Sequence, residues 1–238
     1  MADAILIVIA VISAISTLAS AIIAASIAGV MERYPKIMVV NYHNPLFLAT
    51  QHLQSSLHNI RLALGNPPQG HMEEDPLRHI CFLVGQYFSW TYIFHCQAHF
   101  LYKNNTGNRK MKKTMDKIQQ NFCEEGWPFF FRQDEQLAIG ETMTDTGREE
   151  PFSIGYSTFY QRFTNDATFR NWFQSLYTGI NTPAPQDDAL RAQGLHKLEK
   201  LEHLLLDLIQ ILDPKNLLFE MPRDVRDIIQ GCPCSKCT

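Results

Sequence analysis

The run AILIVIAVISAISTLASAIIAASIAGVM, Ala4 to Met31, contains no charged side chain. Its about 28 residues, at ~1.5 Å rise each in a helix, exceed the ~30 Å hydrocarbon core of a bilayer. In lipid a backbone must satisfy its own polar groups, and a single segment can do that only as a helix. Ser13, Ser16, Thr17, Ser20 and Ser26 are the polar side chains of the run, and helical hydroxyls bond back to the carbonyl one turn earlier. The sequence therefore predicts a single-pass transmembrane helix of the signal-anchor type over residues 1–31. A cleaved secretory signal fits poorly. Asp3 stands where such a signal carries Lys or Arg, and the apolar run is far longer than the usual ~7–15 residues.

Orientation follows from the flanks. The α-amine and Asp3 nearly cancel, whereas Arg33 and Lys36 follow the run against Glu32. Lys and Arg dominate such comparisons, so the bias places the C-terminal domain on the cytosolic face. Glycan at the Asn104 sequon, Asn-Asn-Thr, would report the opposite orientation. Ser13, Thr17, Ala21, Ala25 and Gly29 lie four apart and form a face of small side chains. Such a face lets helices approach closely in lipid, so the expected partners are the membrane and a second copy or another membrane helix. The formal net charge of -3 gives no reason to expect nucleic acid.

Beyond the anchor the chain reads as all-α. We divide it into an anchor (1–31), a juxtamembrane linker (32–44), a multi-helix bundle (45–230) and a cysteine-containing tail (231–238). Asn44 and Pro45 open a helix, and Gly65 stops it. Leu46, Ala49, Leu53, Leu57, Ile60 and Leu64 give it one apolar face. Asp75 and Pro76 open the next helix. It is apolar all round from Ile80 to Tyr102, so it is either a buried core helix or a second span. Gln86, His95, Gln97 and His99 favour the core. Residues 108–126 predict a basic amphipathic helix with a stripe of Met111, Met115, Ile118 and Phe122. After the aromatic knot WPFFF come a short helix near 134–145, a loop at 146–155 and two aromatic-rich helices. A proline-containing linker, TGINTPAPQDD, precedes a last long helix. Its Leu198, Leu201, Leu205, Leu208 and Leu212 space as a heptad seam. Residues 221–231 predict one more short helix, and no stretch reads as a convincing strand.

Catalytic patterns are missing from the sequence. It has no P-loop, no GxGxxG, no Gly-x-Ser-x-Gly elbow and no Glu-x-x-His pair. His95 and His99 lie one turn apart beside Cys96, a spacing that can chelate a metal if Glu124, Glu125 or Glu141 adds a ligand. The plainer reading is two hydrogen-bonded histidines in a packed helix. His196 and His203 read as solvated, and Cys81, Cys96 and Cys123 as buried thiols. Arg109, Lys110, Lys112, Lys113 and Lys117 are placed to touch anionic lipid, or form a solvated basic face. Cys232, Cys234 and Cys237 supply three thiolates where zinc usually takes four ligands. A histidine elsewhere or a thiolate from a second copy would complete the set. The plain alternative is a reduced, flexible tail; S-acylation and redox pairing also fit.

These features support a membrane-anchored helical interaction or scaffold module on the cytosolic face, with zinc as the one cofactor suggested. The competing expectation is a membrane-bound enzyme, or a metal or ligand carrier, with its site around His95, Cys96 and His99.

Overall fold

The computed structural model describes residues 42–65, 74–98, 106–147, 150–181, 185–216, 218, 232–235 and 237. The chain divides into two units, Met1–His43 and Asn44–Thr238, and the helices and strands named here all lie in the second. The expected membrane helix with its small-residue face, the His99 ligand, the Asn104 sequon and the helix expected over 221–231 lie outside the described residues.

Among the described residues the domain is mostly helical: α1 (Asn44–Gly65), α2 (Glu74–Ala98), α3 (Thr106–Phe122), α4 (Gln133–Thr142), α5 (Tyr156–Asn165), α6 (Ala167–Asn171), α7 (Gln174–Asn181) and α8 (Asp188–Leu212). α1 packs on both α2 and α8, α3 lies along α8, and α2 also carries α4. The apolar periodicities explain these choices. The whole predicted face of α1 is buried, from Leu46 to Leu64, and so is the stripe Met111, Met115, Ile118 and Phe122 of α3. No described helix is long and apolar enough to cross a membrane. α2 instead buries Leu77, Cys81, Val84, Tyr87, Phe88, Ile93 and Phe94 within the domain.

Two aromatic clusters fill the centre. Phe122 meets Phe88 edge-on at 5.0 Å and lies 5.7 Å from Phe129. Phe159 contacts Phe82, Phe163, Phe169 and Phe173 at centroid distances of 5.3–5.6 Å. Such pairs add ~0.5–1.5 kcal/mol each beyond their buried area.

Some expectations need correction. The segment read as strand-free contains a small antiparallel ladder, β1 (Thr144–Asp145) on β2 (Phe152–Ser153), pairing Thr144 with Ser153 and Asp145 with Phe152. Two-residue strands are too short to display an alternating pattern. The linker read from Thr178 starts later, because α7 continues to Asn181. Gly179, placed in the linker, lies inside α7 at a packing contact: a Cβ there would lie 1.4 Å from the Pro128 carbonyl oxygen. The Trp127 indole closes the same contact, donating from Nε1 to the Gly179 carbonyl at 3.1 Å. At the start of α8 the Asp187 carboxylate accepts from the Ala189 N–H at 2.8 Å, which is the helix-opening role expected of that acid.

Candidate metal centre

α8 carries the first half of the site. Its seam residues Leu198, Leu201, Leu205 and Leu208 are fully buried, while Leu212 is half-buried. Burial does not stop at the seam. From Leu201 to Leu205 every residue is buried, including Glu202 and His203. A buried polar group needs a partner, and these two find theirs on opposite neighbours. Glu202 accepts from Arg61 Nε at 2.6 Å and sits 3.0 Å from His58 Nδ1, fastening α1 to α8.

His203 faces the cysteine segment. Its Nδ1 lies 3.6 Å from the Sγ of Cys232, of Cys234 and of Cys237. The four ligand atoms all lie within 4.8 Å of one another. One ring nitrogen offers either a single N–H or a single lone pair, so it cannot hydrogen-bond three sulfurs at once. A cation at their centre satisfies all four atoms together. With metal–sulfur distances of ~2.3 Å and metal–nitrogen distances of ~2.0–2.1 Å, a tetrahedral site has nitrogen–sulfur edges of about 3.6 Å. The observed spacing is that edge.

The segment is anchored around the ligands. Asp207, one turn beyond His203, is buried and accepts from the Ser235 N–H and hydroxyl, both at 2.6 Å. From α3, the Lys117 ammonium donates to the Pro233 carbonyl. These bonds fix the backbone between the cysteines, as outer contacts of a metal site do. The ammonium also favours the site electrostatically, since three thiolates outweigh a divalent ion by one charge. Burial pushes the Cys232 thiol up to about 12, against a backbone hydrogen bond at Cys234 that pulls it down. The neighbouring Cys234 and Cys237 sulfurs push it further up. A coordinated cation reverses that balance by deprotonating its thiols outright.

The sequence-predicted candidates separate clearly. Cys232, Cys234 and Cys237 come together, and the fourth candidate ligand is a histidine of the same chain, so no second copy is needed to complete the set. A loose tail does not describe Cys232 and Cys234, which are 3 % and 0 % exposed. His203, read as solvated, is buried and is the candidate fourth ligand; His196 is half-buried beside a cleft that includes Trp127 and Lys197. The missed signal was HLLLDLIQIL, residues 203–212. In a stretch this apolar the polar residues His203 and Asp207 are buried with the leucines, while Gln210 is exposed.

His95 is half-buried beside a hollow of about 60 Å³ lined by Tyr87, Tyr92 and Gln136. It belongs to no group of three or more ligands among the described residues. Glu124, suggested as its helper, lies 3.8 Å from Lys200 instead. Cys96 is exposed and Cys123 half-buried, so of the three thiols read as buried only Cys81 is. Arg109, Lys110, Lys112 and Lys113 are exposed, with Lys112 paired to Asp116 at 3.1 Å, whereas Lys117 turns toward the metal centre.

Comparisons of the chain with protein-family models, with curated proteins and with solved structures found no match.

Proposed function

We propose that the chain is a membrane-anchored helical interaction module whose cysteine segment is clasped to the bundle by one zinc ion. The carrying observation is the equal 3.6 Å spacing of His203 Nδ1 from three sulfurs. Thiolate-rich tetrahedral sets select zinc over magnesium, calcium or manganese, which prefer oxygen. Four protein ligands leave no open position for water or substrate, which is the pattern of a structural rather than a catalytic zinc. That supports a binding module over an enzyme. The uncharged run Ala4–Met31 and the Arg33/Lys36 flank support an anchor with the domain in the cytosol.

The test uses the full-length chain in detergent micelles. Elemental analysis is expected to find one zinc per chain, with near-complete loss in His203→Ala and Cys234→Ser. In membranes from cells making the chain, before any detergent is added, alkaline carbonate is expected to leave the protein in the pellet, with Asn104 unglycosylated. Proximity labelling from the domain is then expected to mark cytosolic neighbours. Fully stable metal-free protein would overturn the zinc clasp, and extraction by carbonate would overturn the anchor.

A further inference from the structure

How such a clasp could open depends on the zinc reading and on differences among its three sulfurs in exposure and chain spacing. Cys232 and Cys234 are buried, whereas Cys237 is half-buried and so is the sulfur a small solute reaches first. Two residues separate Cys234 from Cys237, while only Pro233 separates Cys232 from Cys234. A bridge across one proline closes a very short ring against the geometry a disulfide requires, and a Cys-x-x-Cys bridge does not. All three sulfurs already lie within 4.8 Å of one another, so bridging needs little movement. Metal coordination keeps them as thiolates, the form that reacts with oxidants.

We propose that Cys232, Cys234 and Cys237 form with His203 a peroxide-sensitive clasp: hydrogen peroxide converts Cys234 and Cys237 to a disulfide and the zinc is released. The Cys237 thiolate attacks one peroxide oxygen, the O–O bond breaks, and hydroxide leaves, giving a sulfenic acid. The Cys234 thiolate then attacks that sulfur, the S–O bond breaks, and a second hydroxide leaves. With hydrogen peroxide, two thiolates, one peroxide and two protons become one disulfide and two waters. The sulfurs lose two electrons and the peroxide gains them. Cys232 and His203 remain as two ligands, too few for a structural zinc site. The segment is then held by the Ser235–Asp207 and Lys117–Pro233 hydrogen bonds. A thiol reductant breaks the bridge and restores the four-ligand set.

The experiment uses full-length protein in detergent with its zinc content measured first. A Cys96→Ser background removes the exposed thiol that would also consume peroxide. Hydrogen peroxide is added in equimolar amount, zinc release is followed with a chromogenic chelator, and bridges are mapped by mass spectrometry after alkylation. We expect release of the bound zinc, a Cys234–Cys237 bridge, and zinc rebinding after dithiothreitol and added zinc. Cys237→His keeps four ligands but removes the accessible sulfur, so its zinc is expected to leave about tenfold more slowly or not at all. Zinc retained under peroxide, a bridge at any other pair, or release from Cys237→His at the parent rate would overturn the redox clasp while leaving the zinc reading intact. Protein that is isolated without zinc, takes up none when zinc is added and melts at the same temperature either way overturns both.

Discussion

His203 and Asp207 show how a single side chain changes meaning with burial. On an exposed helix face they would be an unremarked histidine and acid one turn apart. Buried in α8, the first points a ring nitrogen at three sulfurs and the second holds Ser235 by two 2.6 Å bonds. Outer-sphere contacts of this kind are worth ~10–100-fold in metal affinity. Asp207→Ala is therefore expected to weaken zinc binding by about that factor in competition with a chelator, with the metal-free domain still helical by circular dichroism. Lys197 makes a second residue-scale prediction. The residue is 4 % exposed, and its ammonium donates to the Glu124 and Phe129 carbonyls. Burial lowers its pKa to about 8, with Glu124 and Cys123 pulling partly back. The unfolded chain, with an ordinary lysine value of ~10.4, holds more protons between those two points, so this residue makes stability rise with pH from about 8 to about 10. Denaturant melts at pH 7.5 and pH 10 are expected to show a smaller gain in Lys197→Met than in the parent. An equal gain in both would remove Lys197 as the source.

At the scale of the element, α8 joins the rest of the domain. Its seam meets α1 and α3, Glu202 ties it to Arg61, and Gly194 gives it a close approach to the aromatic knot. A helical glycine is normally worse than alanine by ~0.5–1 kcal/mol, so Gly194→Ala would stabilise an isolated α8. In the domain a Cβ there would stand 2.3 Å from the Trp127 ring and 2.7 Å from its carbonyl oxygen. The steric term is the larger, and Gly194→Ala is expected to lower Tm by several degrees in a thermal melt. A raised Tm would mean that Trp127 moves aside freely. The individual helices were largely legible because each element needs only local information. Asn44, Pro45 and Gly65 bracket α1, and its buried face is the predicted set of leucines, alanine and isoleucine. The β1–β2 ladder and the last turn of α7 were not legible. One is too short to carry a period, and the other ends where Pro128 packs, far away in sequence.

At the scale of the molecule, a metal held by His203, Cys232, Cys234 and Cys237 would close a loop between α8 and a segment that follows it by roughly twenty residues. A ligand present at 1,000 times its Kd adds about 4 kcal/mol to stability, and a domain of this size shifts by ~2–4 °C per kcal/mol. Chelation is thus expected to lower Tm by roughly 8–16 °C. Far-UV dichroism should hardly change, because α1, α2, α3 and α8 keep their apolar contacts. Limited proteolysis should then cut near 232–237 in the chelated protein and spare it in the zinc form. Loss of the helical signal on chelation would show instead that the metal is a condition for folding the whole domain.

The sequence by itself determined the all-helical class, the faces that each long helix buries and the three cysteines able to bind metal. Those properties depend on composition and on periods of a few residues. Only the tertiary structure brought His203 to the three sulfurs as a candidate fourth ligand and set Asp207 and Lys117 on the segment between the cysteines. A metal centre is a coincidence in space of side chains distant in sequence. His203 and Cys232 are 29 positions apart, and the chain between them carries no period that could announce the pairing.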